Sequence, residues 1–184
     1  MTNTDTRIQY TKSRFHDAMT ELLWQNAIGF ITIKELCDTA GLNRGTFYLH
    51  YSQPVEVLRE MEDALTENTL ATLITDVSGM SKNLKEPLSL LLENRHTTAA
   101  IIGHNGNPDF LARVRSTVFE KQGRMLQQRF PHSSARQIEC AFSYVFAGCT
   151  GVVKEWLMMP EPTPVEEMEK LLSDLTESVL NTLQ

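Results

Sequence analysis

Residues 31–50, ITIKELCDTAGLNRGTFYLH, leave the chain little choice of local structure. Thr32 with Glu35 three positions on makes a capping box, in which each side chain satisfies a backbone N–H at a helix start. Ile33, Leu36, Cys37 and Ala40 then share one helical face. Gly41 stands where a left-handed residue ends a helix without a steric penalty. Leu42 is an apolar turn residue. Asn43 suits the cap of a second helix that carries Arg44, Thr46, Tyr48 and His50. Such a pair is either a corner in a helical core or a helix-turn-helix whose second helix enters a DNA major groove. Spacing alone does not choose between them.

The residue types do. Gly29, Thr32, Ala40-Gly41, Asn43, Gly45-Thr46, Tyr48, Tyr51 and Leu58 resemble the DNA-binding domain of the tetracycline-repressor (TetR) family of bacterial regulators, from about Thr11 to Leu58. The rest of the chain shares that family's helical layout, but the family's C-terminal sequences diverge and add little. The resemblance implies an all-α fold of about nine helices: a three-helix helix-turn-helix DNA-binding domain over residues 7–52, then a helical ligand-binding and dimerisation domain over 53–184. It also supports a DNA-contacting set of Thr32, Lys34, Asn43, Arg44, Gly45, Thr46, Tyr48, His50 and Tyr51.

Chemistry assigns these residues different tasks. The Arg44 fork matches the O6 and N7 of guanine. Asn43 has the groups to read adenine, but its cap role competes for the same side chain. Gly45 lets backbone approach DNA closely. Thr46, Tyr48, His50 and Tyr51 suit phosphate or sugar contacts, which position without specifying sequence. Thr32 lies at a helix N-terminus, where backbone N–H groups favour an anion. Lys34 reaches a base edge or the backbone. Structural readings stand beside these: Phe47 and Leu49 are expected in the core, Tyr51 packs as readily as it touches DNA, and His50 is equally a buried histidine. One departure from the family matters. It commonly has a lysine at the start of the fourth helix; this chain has Pro54, which removes a phosphate contact.

Charge limits the claim. The net charge is −6, against the basic patch usual for DNA binding. Residues 1–58 hold five Lys/Arg (Arg7, Lys12, Arg14, Lys34, Arg44) and six Asp/Glu, so non-specific binding is expected to be weak. Lys12 and Arg14, on the polar side of a first helix from about Arg7 to Asn26, are further candidates for phosphate; a solvated face explains each as well. That helix has an apolar stripe of Phe15, Ala18, Met19, Leu22 and Leu23, with Gly29 as its break.

Beyond His50, Pro54 suits the first position of a helix running to about Leu73. Thr75 to Asn83 reads as a loop. Residues 84–158 look helical, with breaks at His104–Pro108 and Phe130–Ser133. The cations of the helix from about Asp109 to Arg129 read as a solvated face before an anion site. Ile138, Phe142, Val145, Cys149, Val152 and Trp156 form a packing seam from about Ser134 to Met158, beside the small residues Ala141, Gly148 and Gly151. Thr163-Pro164-Val165-Glu166 reads as cap, first-position proline and capping-box acid of a last helix. Val165, Met168, Leu172, Leu175 and Val179 repeat the seam there, widened by Leu171, Leu180 and Leu183. Two such helices pair within the chain or with their copies. The resemblance favours a homodimer through about 134–158 and 164–183.

Other classes find no support. No nucleophile–base pair, metal spacing or phosphate-binding Gly-rich loop appears, so no enzyme activity, cofactor or metal is expected. Cys37, Cys140 and Cys149 contain no C-x-x-C pair and are expected as small core residues. No apolar run spans a bilayer and no leader is seen, which gives an expectation of a cytoplasmic protein without membrane contact. The expected function is a DNA-binding transcriptional regulator, a repressor released from a palindromic double-stranded operator by a small-molecule effector. The alternative is a regulator controlled by a protein partner through an effector-free C-terminal domain. The aromatic and sulfur side chains from Phe110 to Trp156 line a pocket or fill a core, and ligand-binding residues are not assigned.

Overall fold

The computed structural model describes residues 3–74 and 84–183, so the loop expected from Thr75 to Asn83 lies outside the described residues. Among those described, the chain is all-helical, with nine α-helices and no strand. They are α1 (Asn3–Leu23), α2 (Ile33–Ala40), α3 (Arg44–Tyr48), α4 (Pro54–Ile74), α5 (Lys85–Glu93), α6 (Arg95–Ile102), α7 (Phe110–Arg129), α8 (Ala135–Met158) and α9 (Val165–Leu180), with short 3₁₀ turns at Ile28–Phe30 and Asn181–Leu183. The chain divides into two compact units. One is Met1–Leu65 with His96–Phe110, and the other is Thr66–Arg95 with Leu111–Gln184.

In the first unit the predicted stripe of α1 is the core: Phe15, Ala18, Met19, Leu22 and Leu23 are all buried. The helix stops at Leu23 rather than Asn26, and the reason is a distant residue. Asn105 donates its side-chain amide to the Leu23 carbonyl at 2.9 Å, and its own carbonyl accepts the Ile28 N–H at 3.0 Å. A Cβ on the neighbouring Gly106 would fall on the Ile101 carbonyl oxygen, so only glycine fits this turn.

The turn between α2 and α3 forms as its residues dictate. Thr32 and Glu35 make the capping box, and Gly41 adopts φ +67°. Asn43 caps α3 by accepting the Thr46 N–H at 2.8 Å. Arg14 of α1 donates to the Ala40 carbonyl through Nε at 3.0 Å and Nη2 at 2.7 Å, satisfying an orphan acceptor at the end of α2. Leu36, Cys37 and Ala40 are buried along the predicted face.

Three rings hold α3 in place. Phe15 meets Phe47 edge-on with centroids 5.5 Å apart, Tyr51 lies 5.9 Å from Phe15, and Phe47 and Tyr51 are 5.7 Å apart. The Tyr51 hydroxyl donates to Glu60 of α4 at 3.2 Å. Glu60 also takes Lys12 Nζ at 2.9 Å and lies 3.4 Å from His16 Nε2. Burial pushes the Glu60 carboxyl up, but Lys12, His16 and the Tyr51 hydroxyl together hold it below the ordinary 4.5. Burial, with Lys12 adding to it, holds His16 below 6.5 against the opposing pull of Glu60 and Asp17.

The second unit packs Val118, Leu126 and Phe130 of the α7 segment against Ile138, Ala141 and Phe142 of α8 and Leu180 and Leu183 at the end of the chain. Ser134 and Gln137 close a capping box at the start of α8. Buried Ser133 donates to the Leu183 carbonyl at 2.6 Å, and Arg129 pairs with Glu177 at 2.7 Å. Three sequence expectations need correction. A break at Asn94 divides α5 from α6, with the Asn94 N–H and side chain both donating to the Leu90 carbonyl. The last helix is capped one residue later than expected, at Pro164 and without a side-chain cap; the Thr163 carbonyl instead accepts the indole N–H of fully buried Trp156 at 2.9 Å, and Glu166 pairs with Lys85 at 2.8 Å. Cys140 is exposed, not a core residue.

Two outcomes follow from the first unit. Gly41→Ala places a Cβ in left-handed backbone, 3.2 Å from the Arg14 guanidinium, and should cost roughly 1–2 kcal/mol of unfolding free energy in denaturant melts, with Gly41→Asn costing less. Acid should destabilise the unit in two stages. With both folded values depressed, the unfolded chain binds more protons, so stability is lost as pH falls below 6.5 for His16 and again below 4.5 for Glu60. Thermal unfolding of His16→Asn should show a smaller drop between about pH 7.5 and 5.5 than the parent chain; an equal drop would remove His16 as its source.

Candidate nucleic-acid interface

The five residues of α3 divide cleanly by face. Phe47 is fully buried. Arg44, Gly45, Tyr48 and, one residue past the helix, Leu49 are exposed. Arg44 and Tyr48 are four apart, as are Gly45 and Leu49, so the four fall on one arc opposite Phe47. Leu49 was expected in the core and is instead 79% exposed. The wheel explains the correction: its backbone continues the right-handed helical conformation (φ −72°, ψ −20°), which carries it to the Gly45 side. Alternation of polar and apolar residues from Thr46 to His50 hid this.

Each predicted contact residue has a definite setting. Arg44 and Lys34 are exposed and have no ion pair among the described residues. Asn43 is exposed, but its Oδ1 accepts both the Thr46 N–H at 2.8 Å and the Thr46 hydroxyl at 3.2 Å. A two-point contact to adenine needs that oxygen; the amide NH₂ keeps its two donors. A Cβ at Gly45 would lie 3.1 Å from the same oxygen, so the missing side chain also makes room for the cap. Thr32 is exposed, yet its N–H and hydroxyl both donate to Glu35, at 2.9 and 2.7 Å. These bonds hold the Glu35 carboxyl below its usual range, so a carboxylate already sits at this end of α2. Tyr48 is 61% exposed and His50 is half-buried. Tyr51 is turned inward at 6% exposure, and burial first, then Glu60, pushes its phenol well up.

The two α1 cations offered as phosphate partners are engaged inside the unit: Lys12 with Glu60, Arg14 with the Ala40 carbonyl. Sequence spacing placed them on the polar side correctly, but their partners lie 48 and 26 residues away.

The second unit has an open apolar groove of about 900 Å³ between α8 and α9, with Tyr144, Val145, Gly148, Leu172, Leu175 and Val179 among its lining. Tyr144, Leu171 and Leu175 are 70%, 47% and 49% exposed. A Cβ at Gly148 or Gly151 would meet open space.

Comparisons with known proteins bear on both surfaces. Residues 78–178 match a TetR family model, the transcriptional regulator C-terminal region. That segment does not overlap the residues 11–58 that carry the resemblance in sequence, so the C-terminal part adds more than its divergence led us to expect. Among solved structures, a TetR transcriptional regulator from Streptococcus agalactiae 2603V is similar at 22% identity, covering 94% of this chain and 97% of that one, with a TM-score of 0.65. The TetR family repressor AlkX from Dietzia sp. strain DQ12-45-1b, implicated in biodegradation of n-alkanes, is 19% identical over 94% of this chain and 95% of its own, with a TM-score of 0.41. No curated protein sequence matches the chain.

Proposed function

The chain belongs to the TetR family of transcriptional regulators, and on that premise we propose that it is a homodimeric, sequence-specific repressor of a palindromic operator. The observation that carries this reading is the exposed arc of α3, held from behind by buried Phe47 and carrying an exposed guanidinium at its start. Arg44 reads guanine, and Lys34 reaches a base edge or a phosphate. Asn43 contributes through its amide NH₂. The backbone at Gly45 approaches the DNA, while Thr46, Tyr48 and His50 fix register on sugar and phosphate, and Thr32, bonded to Glu35, caps α2 behind them. Tyr51 acts from inside, by fixing the end of α3 against Phe15 and Glu60. The domain division at about residues 52–53 follows the same logic, separating the reading head from the regulatory part. The protein acts in the cytoplasm and catalyses nothing.

Dimerisation is assigned to α8 and α9. The groove between them, the exposed Tyr144, Leu171 and Leu175, and the open space over Gly148 and Gly151 support a second copy seated there. A two-fold axis would place the heads about 34–36 Å apart, or a multiple of it, to meet successive major grooves. A small-molecule effector in the C-terminal domain releases the operator by binding the non-operator conformation more tightly.

In-vitro selection of bound DNA fragments should enrich a palindrome; asymmetric or absent enrichment would sink the dimeric reading. Arg44→Ala should cost roughly 1–3 kcal/mol of operator binding and relax one base position per half-site. An unchanged selected motif would take Arg44 out of the readout. The exposed pair Leu171→Glu/Leu175→Glu should leave the helical content intact, yield a monomer in sedimentation, and lower operator affinity by about 10²–10⁴-fold through lost bivalency. A dimer that survives both substitutions would move the interface elsewhere.

A further inference from the structure

We propose that Leu49 is a specificity-determining residue that reads the 5-methyl group of a thymine in each half-site. The inference rests on the operator reading above and deepens it. A lone exposed leucine is unremarkable on a protein surface. This one is placed by a five-residue helix whose other outward residues are Arg44, Gly45 and Tyr48, and its 79% exposure is the highest among the large apolar side chains of the described residues. It lies four residues past Gly45, where the absent side chain leaves nothing to screen it from an approaching groove.

The chemistry narrows the target. In the major groove the base edges present hydrogen-bond donors and acceptors, and the thymine methyl is the apolar feature. An isobutyl side chain makes no hydrogen bond, so of these groups it favours only that methyl. The neighbouring polar edges would be desolvated against it without compensation, so a cytosine at the same place is disfavoured. Arg44 and Leu49 lie at opposite ends of the arc. The thymine should therefore be a different base step from the guanine that Arg44 reads, on the side toward which the C-terminal end of α3 points.

The test uses the full chain and its selected operator. Replacing each thymine in turn by uracil, symmetrically in both half-sites, deletes only the methyl. One thymine position per half-site should cost the parent chain about fifteenfold in affinity, roughly fourfold per methyl contact. Leu49→Ala should bind the natural operator more weakly by a similar factor and lose its sensitivity to uracil at that position, while the Arg44 guanine stays selected. Leu49→Met should keep the thymine preference. If no uracil position costs the parent more than twofold, or if the penalty persists in Leu49→Ala, the assignment of Leu49 is overturned while the operator reading stands. If no sequence is enriched at all, the operator reading falls and takes this one with it. Should Leu49→Ala fail to fold, Leu49→Gln takes its place, with the same loss of sensitivity to uracil expected and a persisting penalty overturning the assignment.

Discussion

The reading head depends on one packing interaction, the burial of Phe47 between Phe15 and Tyr51. A helix of five residues cannot sustain itself, because the first turn fixes several dihedrals for a single hydrogen bond. Its Asn43 cap helps but does not orient it. Phe47 is the only residue of α3 that is buried, so the direction in which Arg44, Tyr48 and Leu49 face is set by where that ring sits. Aromatic pairs of this kind contribute about 0.5–1.5 kcal/mol beyond their buried area, and their edge-on geometry restricts rotation. The Tyr51 phenol would be a costly buried group without Glu60, which is why a carboxylate of α4 is drawn into the cluster. Core and proposed reading surface are two sides of the same short helix.

The same cluster governs how the head uses its charge. Lys12 neutralises Glu60, and Arg14 closes the end of α2, so two of the five cations in residues 1–58 serve the fold. At α2, Glu35 holds the N-terminal donors that an incoming phosphate would otherwise use. A head arranged this way gains little from general attraction to phosphate, whose contribution scales with the charges neutralised. In the operator reading proposed above, discrimination comes from shape-specific contacts at the arc, and the exposed surface there is as much apolar and aromatic as it is cationic.

Local signals were legible in the sequence because their physics is local. The Thr32–Glu35 box, the left-handed Gly41, the Asn43 cap and the proline opening α4 each involve groups within a few residues, and each formed as expected. The α1 stripe and the α8 seam were equally readable from periodicity. What could not be read were the long-range partners: Asn105 on the end of α1, Arg14 on Ala40, Lys12 on Glu60. Leu49 is a different kind of miss. A helical wheel through Phe47 places it outward, but its apolar character points to burial, and a helix this short has too few residues for periodicity to argue otherwise.

The acidic end of the chain looks at first like a surface for a basic partner. The pairings within the unit argue against that. Glu166 pairs with the Lys85 ammonium while Glu169 accepts the Lys85 backbone N–H, Glu177 holds Arg129, and Asp174 holds Lys170. Exposed pairs of this sort add little stability, but they offset three of the five acids of α9. Between them Leu171 and Leu175 remain exposed, facing outward while Met168, Leu172 and Leu180 fill the core. A two-fold interface brings each residue near the same patch on the other copy, so an uncompensated acidic face would repel itself. An apolar strip with three of the five α9 acids already paired repels its copy less. That arrangement favours the proposed pairing of α9 with its own copy over a basic partner.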